Sequence, residues 1–404
     1  MRAPRMLRGL PREFWVQWWG TLLNRLATFV QPFLVLYLTT SRGLSVPQAG
    51  MVAAVWGAGV IGGAVVGGWS ADRIGPRATV LGGMCLSAAA LVGLGTARGL
   101  PFLLAAALLA GVTSNIYRPA ADALVADIVA PADRTRAFGL TFWAINAGFS
   151  VSAALGGYLA SLGYGLLFAV DAATCLACGV LMYVGLPEPQ RAVRPTRRSG
   201  GYRMVFSHTT VVALLLLTAG YALVYEQAYV ALPLAVRDAG LPTAAYGAVI
   251  AVNGVFIILF QPWISSVVGR YPRGRVMAAA TLLLGTGLAC TGLADTVWEF
   301  GATVVLWSLG ESAMAGNTQA VVADLSSPEA RGAYQGAFTM ARSCSMLFGP
   351  MIGAAVYAGP GPGVLWGGCL VTGVLVAAGF PLVMRRAKAA TVPEAADRVG
   401  VAGG

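Results

Sequence analysis

Residues 127–157 read DIVAPADRTRAFGLTFWAINAGFSVSAALGG, and residues 324–354 read DLSSPEARGAYQGAFTMARSCSMLFGPMIGA. They align without a gap at an offset of 197, pairing Asp127 with Asp324, Pro131 with Pro328, Arg134 with Arg331, Gly139 with Gly336 and Gly156 with Gly353. The same offset pairs Gly50 with Gly247, Gly57 with Gly254 and Arg73 with Arg270. A repeat at about half the length of a 404-residue chain marks two homologous halves.

Composition places both halves in a bilayer. Hydrophobic residues make up 57% of the chain, charged residues only 11%, and the mean hydropathy is +0.72. Soluble domains carry about 25% charged residues. The net charge of +11 does not point to nucleic acid, because the arginines fall in short clusters between apolar runs. The basic N-terminus, Arg2, Arg5, Arg8 and Arg12, precedes an apolar run too long for a signal peptide, so it reads as a retained first span. Cys175 and Cys178 form a lone CxxC, read as small-residue packing, and the single histidine, His208, rules out a His-based metal or triad site.

A span needs about 20 apolar residues. Twelve such runs follow one another, at 14–39, 48–70, 79–97, 101–128, 137–161, 165–187, 209–237, 243–268, 276–295, 298–325, 333–358 and 362–384. With both termini inside, 21 cationic residues face inward and only Arg42, Arg98 and Arg237 face outward, which sets the topology. The expected domains are a six-helix bundle over 1–187, a basic cytoplasmic linker over 188–208, a second six-helix bundle over 209–384 and a cytoplasmic tail over 385–404.

The loop GGWSADRIGPRAT, residues 67–79, resembles the signature of the major facilitator superfamily at Gly68, Ala71, Asp72, Arg73, Gly75 and Arg77. Ser70 and Pro76 depart from that signature. The resemblance covers the whole chain. It implies an all-α membrane protein with twelve transmembrane helices in two pseudo-symmetric bundles, and transport by alternating access. It also implies that Gly68, Asp72, Arg73, Gly75 and Arg77, with a partner such as Arg136, latch the halves; a solvated turn is the plainer reading. The second copy, SSVVGRYPRGR at 265–275, has Gly269 where Asp72 would lie, so only the first half carries the full loop.

Six charged residues fall inside spans: Arg25, Arg118, Asp122, Glu226, Glu311 and Arg342. Each would cost about 2.5–3.5 kcal/mol facing lipid at a helix centre, so a wet central cavity is expected. Arg25 precedes Pro32 by seven residues and Glu226 precedes Pro233 by seven, which makes them symmetry mates. The expectation is that Arg25 holds Glu226, or another cavity acid, charged until a proton or substrate intervenes; a static ion pair is the rival. Gly111, Asn115, Arg118 and Asp122 share a helical face, and Arg118 and Asp122 are spaced to pair within the helix. Glu311 is a candidate proton or cation site, while Asp171 reads as interfacial. Tyr221, Tyr225 and Tyr229 recur every four residues and, with Asn115, Trp143, Asn146 and Arg342, are candidate substrate contacts. A tyrosine packing face is the alternative.

YRPAADALVAD, residues 117–127, is similar to a stretch in drug-efflux members of the superfamily that carry an arginine in span one. The exporters' span-five motif survives in GFSVSAALGG, 148–157, at Gly148, Gly156 and Gly157, but Ser152 and Ala153 replace its central Gly-Pro. Ala107 stands where those exporters have an arginine, which implies that the coupling route differs or is lacking. The expected function is proton-coupled efflux of amphipathic drugs or metabolites by a monomer in the cell membrane, both termini cytoplasmic, with small-molecule substrate, protons and lipid as partners. The proton gradient takes the place of a cofactor, for no phosphate-binding loop supports ATP. The alternatives are an importer or facilitator of an anionic solute that uses Arg25, Arg118 and Arg342, and a non-transporting receptor or scaffold. No constellation supports an enzyme.

Overall fold

The computed structural model describes residues 10–26, 28–129, 134–185, 205–315, 317–318, 321–322 and 331–400. These residues are mostly helical, with short turns between the helices and no strand among them. The helices of the first half are α1 (Arg12–Leu26), α2 (Val30–Leu36), α3 (Val46–Ile74), α4 (Pro76–Thr96), α5 (Leu100–Ile128), α6 (Arg134–Leu162) and α7 (Tyr164–Gly185). Those of the second are α8 (Thr209–Tyr225), α9 (Gln227–Asp238), α10 (Thr243–Val268), α11 (Arg273–Cys290), α12 (Val297–Met314), α13 (Arg331–Ala358) and α14 (Pro362–Gly400). Among the described residues, nine helical segments are long and apolar enough to cross a membrane, counting α1 with α2 and α8 with α9 as one each.

Span one is not continuous, contrary to the sequence expectation. Pro32 has no N–H to offer the Thr28 carbonyl, and its ring disfavours a helix running through that turn. The chain restarts as α2, and the Thr28 N–H reaches back to the Arg25 carbonyl at 3.4 Å. Span seven repeats the device. Pro233 lies inside α9, Glu226 sits in a turn between α8 and α9, and the Tyr229 N–H donates to the Glu226 carbonyl at 3.0 Å. Arg25 and Glu226 therefore occupy the same place in two broken helices.

One other expected boundary moves. The tenth run ends as a helix at Met314, where the backbone leaves the helix at Ala315 with ψ 126. The last helix runs on to Gly400 through a stretch rich in helix-favouring alanine.

Contacts across the chain midpoint form two seams. α3 lies along α13 and α10 lies along α6, while α2 touches α9. A methyl group added at Gly50 would strike Ala354 and the Pro350 carbonyl; one at Gly247 would strike the Ala153 carbonyl and Gly157. These four partners are related by the offset of 197. The repeat therefore reappears as backbone-to-backbone packing, with glycine permitting the approach.

The seams lie toward the end that carries the turns at 42–45, 239–242 and 359–361. There Phe33 meets Tyr246 edge-on, ring centroids 5.3 Å apart, and the Tyr357 hydroxyl donates to Asp238 at 2.8 Å. The opposite, basic end carries Arg73, Arg77, Arg270, Arg273 and Arg275. Gly75 joins α3 to α4 there at φ 91, a conformation that residues with a Cβ resist.

Candidate functional site

Two adjoining cavities sit where the broken helices meet. The first, about 140 Å³, is lined by Asn24, Arg25, Thr28, Gln31, Asn115 and Asp171, among others. The second, about 40 Å³, is lined by Gln31, Glu226, Tyr229 and Pro350, with Trp56 and Met346 common to both.

The acid that Arg25 faces is Asp171, not Glu226. Asp171 is only 6% exposed, which overturns its reading as interfacial. One of its carboxylate oxygens, Oδ2, accepts the Phe29 and Val30 N–H groups, both at 3.1 Å. These are the donors that the helix break orphans, so an acid there is satisfied where a lipid-facing one would not be. Arg25 is the cation whose charge acts on Asp171, and no ion pair joins Arg25 to Glu226. Arg25 lines the first cavity and Glu226 the second, while Gln31, Trp56 and Met346 line both. The Arg25 Nε is buried without a hydrogen-bond partner. Asn115 lines the same cavity and donates to the Val60 carbonyl at 3.1 Å.

The second half holds a denser polar cluster. Glu311 on α12 accepts from the Tyr225 hydroxyl at 2.9 Å and from Asn253 Nδ2 at 2.7 Å. Asn253 Nδ2 also donates to the Ser308 hydroxyl at 2.8 Å. The Tyr225 and Tyr229 hydroxyls lie 3.1 Å apart, and Tyr225 packs edge-on against Trp307 at 5.9 Å. Arg342 on α13 is the cation that acts on Glu226, Glu311, Tyr221 and Tyr229. Glu226 packs against Gly349, where a methyl would meet its Cβ at 2.8 Å. The structure thus brings Tyr221, Tyr225, Glu226, Tyr229, Glu311 and Arg342 together. It adds Asn253, whose only sequence signal was a polar residue in an apolar helix.

Trp143 is 44% exposed, stacks on Trp18 at 6.2 Å and lies outside these two cavities. Asn146 lies on the α6–α10 seam, its carbonyl accepting from Ser150 at 2.9 Å and opposing Gly254. At the basic end, Arg73 lies over the Trp69 ring at 4.6 Å and Arg77 over the Tyr183 ring at 4.3 Å, both within the first half. The side chains of Asp72, Arg118, Asp122 and Arg136, and the surroundings of Gly68, lie outside the described residues.

The chain is similar to known transporters along its length. It is 26% identical over 353 residues to the Uncharacterized MFS-type transporter YttB of Bacillus subtilis, covering 86% of this chain and 89% of that protein. It is 24% identical over 352 residues to the Multidrug resistance protein MdtH of Aeromonas hydrophila, covering 84% and 87%. Among solved structures, the nucleoside transporter NupG superposes with a TM-score of 0.80 at 14% identity, over 92% of this chain and 100% of that one. A POT family transporter bound to a thioalcohol-conjugated peptide gives 0.81 at 14% identity, over 95% and 98%. The description of the Major Facilitator Superfamily matches residues 18–242 and 214–402. With helices broken at mid-span, charged residues gathered between its halves and that match over nearly its full length, the chain belongs to the Major Facilitator Superfamily and is a membrane transporter, not an enzyme.

Proposed function

We propose that the protein is a secondary active transporter that expels amphipathic small molecules in exchange for protons by alternating access. In this reading it is a monomer in the cell membrane with both termini in the cytoplasm. Twelve spans form two six-helix bundles, residues 1–187 and 209–384, joined by the basic linker 188–208. The tight end faces outward, the basic end faces the cytoplasm, and the loop at 67–79 latches the halves when they rock the other way. Arg118 and Asp122 neutralise one another on α5.

The observation that carries this reading is Glu311. Its carboxyl lies within an apolar helix, between a tyrosine hydroxyl and an asparagine amide, with Arg342 acting on it. An acid so placed can exchange a proton against the charge of a nearby arginine or a cationic substrate. Tyr221, Tyr225 and Tyr229 supply aromatic surface for a planar partner. Similarity to the multidrug resistance proteins MdtH supports a drug-like substrate.

A second reading, uptake or facilitated passage of an anionic solute, draws support from Arg25, whose unpartnered Nε lies beside a cavity lined by Asn24, Thr28, Gln31 and Asn115. Reconstitution into vesicles with an imposed pH gradient separates the two. One pH unit supports about tenfold accumulation per proton exchanged. Export predicts that ethidium accumulates in inverted vesicles with an acid interior and that the accumulation collapses with a protonophore. Accumulation of fluorescein instead, or of neither dye, counts against the export reading.

A further inference from the structure

Asp171 does something that neither the resemblance nor the sequence motif assigns. It sits on α7, while the groups it touches belong to the break between α1 and α2. Arg25, the last basic residue of α1, lines the same cavity with its Nε unpartnered. One carboxylate therefore faces both ends of the break: the orphaned amides that begin α2 and the cation that ends α1. The other groups around it are neutral. Cys175, on its own helix, lies 3.9 Å from Oδ1, and Asn24 and Ser87 line the cavity beside it.

We propose that Asp171 is a positioning residue of the transport site, seating the α2 half of the broken span and fixing where Arg25 presents its guanidinium to the cavity. When the carboxyl is ionised, its two N–H bonds are charge-assisted, about twice as strong as neutral ones. The negative charge also offsets Arg25, so Arg25 meets a substrate as half of a balanced pair and not as a bare cation. The acid belongs to α7, a helix free of the break, and acts as the fixed post against which the hinge of span one is held. Its counterpart in the second half is different: 171 plus 197 falls at Gly368, which is glycine. The device is one-sided: at the span-seven break the neighbouring helices are engaged instead through side chains, Tyr225 on Glu311 at 2.9 Å and Gln227 on the Gly349 carbonyl at 3.2 Å.

This inference rests on the transport reading, but its first test does not. Hydrogen exchange of the purified protein in nanodiscs reports on the amides of Phe29 and Val30 without any substrate. Asp171→Asn keeps an acceptor oxygen and loses the charge, so those amides should exchange about tenfold faster. Asp171→Ala should speed them about a hundredfold. Amides in α4 far from the cavity should not change, which guards against general misfolding. The second test is a double-mutant cycle in ethidium transport with Asp171→Asn, Arg25→Gln and the pair. Each single change should lower transport about tenfold, and the pair should be no worse than the worse single, because neutralising both restores the balance. Unchanged exchange in Asp171→Ala overturns the seating of α2. Additive losses in the cycle overturn the link to Arg25. If the wild-type protein moves no ethidium, the export reading fails while the exchange experiment still decides whether Asp171 seats the hinge.

Discussion

Gly57 on α3 is the sharpest place to test the seams. A methyl group added there would meet the Met346 carbonyl carbon at 2.9 Å and the Leu347 nitrogen at 3.3 Å. Carbon atoms rest at about 3.5–4.0 Å. The obstacle is backbone, with no rotamer to turn aside, so α3 and α13 must part by roughly 0.5–1 Å. Overpacking of this kind costs about 1–3 kcal/mol. Alanine recovers about 0.5–1 kcal/mol over glycine inside a helix, but it does so in both arrangements. The bias against the tight arrangement is thus about 1–3 kcal/mol, a factor of roughly 5–160 in population. Gly82→Ala on α4 is the control, since a methyl there meets nothing within 4 Å and only the helix gain remains. Spin labels at Ser41→Cys and Gly359→Cys, in a background lacking the native cysteines, report the separation of the tight end by pulsed electron resonance. Gly57→Ala should enlarge the long-distance population by that factor and lower the unfolding temperature, while Gly82→Ala leaves the distances alone and raises it. If the two variants behave alike, the seam is not held by backbone contact and the argument from the repeat fails.

Three further outcomes follow from the site. Glu311→Gln removes the charge that Tyr225 and Asn253 donate to, and hydrogen bonds to a charged group are worth about 1.5–3 kcal/mol, so proton-driven ethidium transport should fall at least tenfold; Tyr225→Phe, losing one donor, should fall less. Glu226→Gln should flatten the pH profile of transport in vesicles, and a profile identical to wild type removes Glu226 from any proton step. Thr296 caps α12, its hydroxyl accepting from the Glu299 N–H while the Glu299 carboxylate accepts from the Thr296 N–H at 2.9 Å, so Thr296→Ala should cost about 1 kcal/mol in chemical unfolding with little change in transport.

The reach of sequence reasoning here follows the physics of each feature. Hydropathy and the repeat are properties of long segments, and they gave the helical membrane class directly. The offset of 197 paired Gly50 with Gly247 and Gly57 with Gly254, and all four lie on the seams, although the pairing itself did not announce what each would meet. The prolines seven residues beyond Arg25 and Glu226 marked the positions of both breaks, although span one was read as continuous, since a proline in a bilayer helix more often kinks than severs it. Asp171 was misread because its partners are backbone amides 142 and 141 residues away, which leave no side-chain pattern in the sequence. Symmetry pointed Arg25 at Glu226 or another cavity acid; Arg25 and Glu226 line different cavities, and nothing in the spacing of the chain announces that.

The paired breaks have one more consequence. Pro32 and Pro233 withhold the donors that would have engaged the carbonyls of Thr28 and Tyr229, two residues that line the cavities. Because these oxygens belong to the peptide and not to a side chain, point substitution at Thr28 or Tyr229 leaves them in place. Replacing either proline would instead restore the missing donor and let the helix heal.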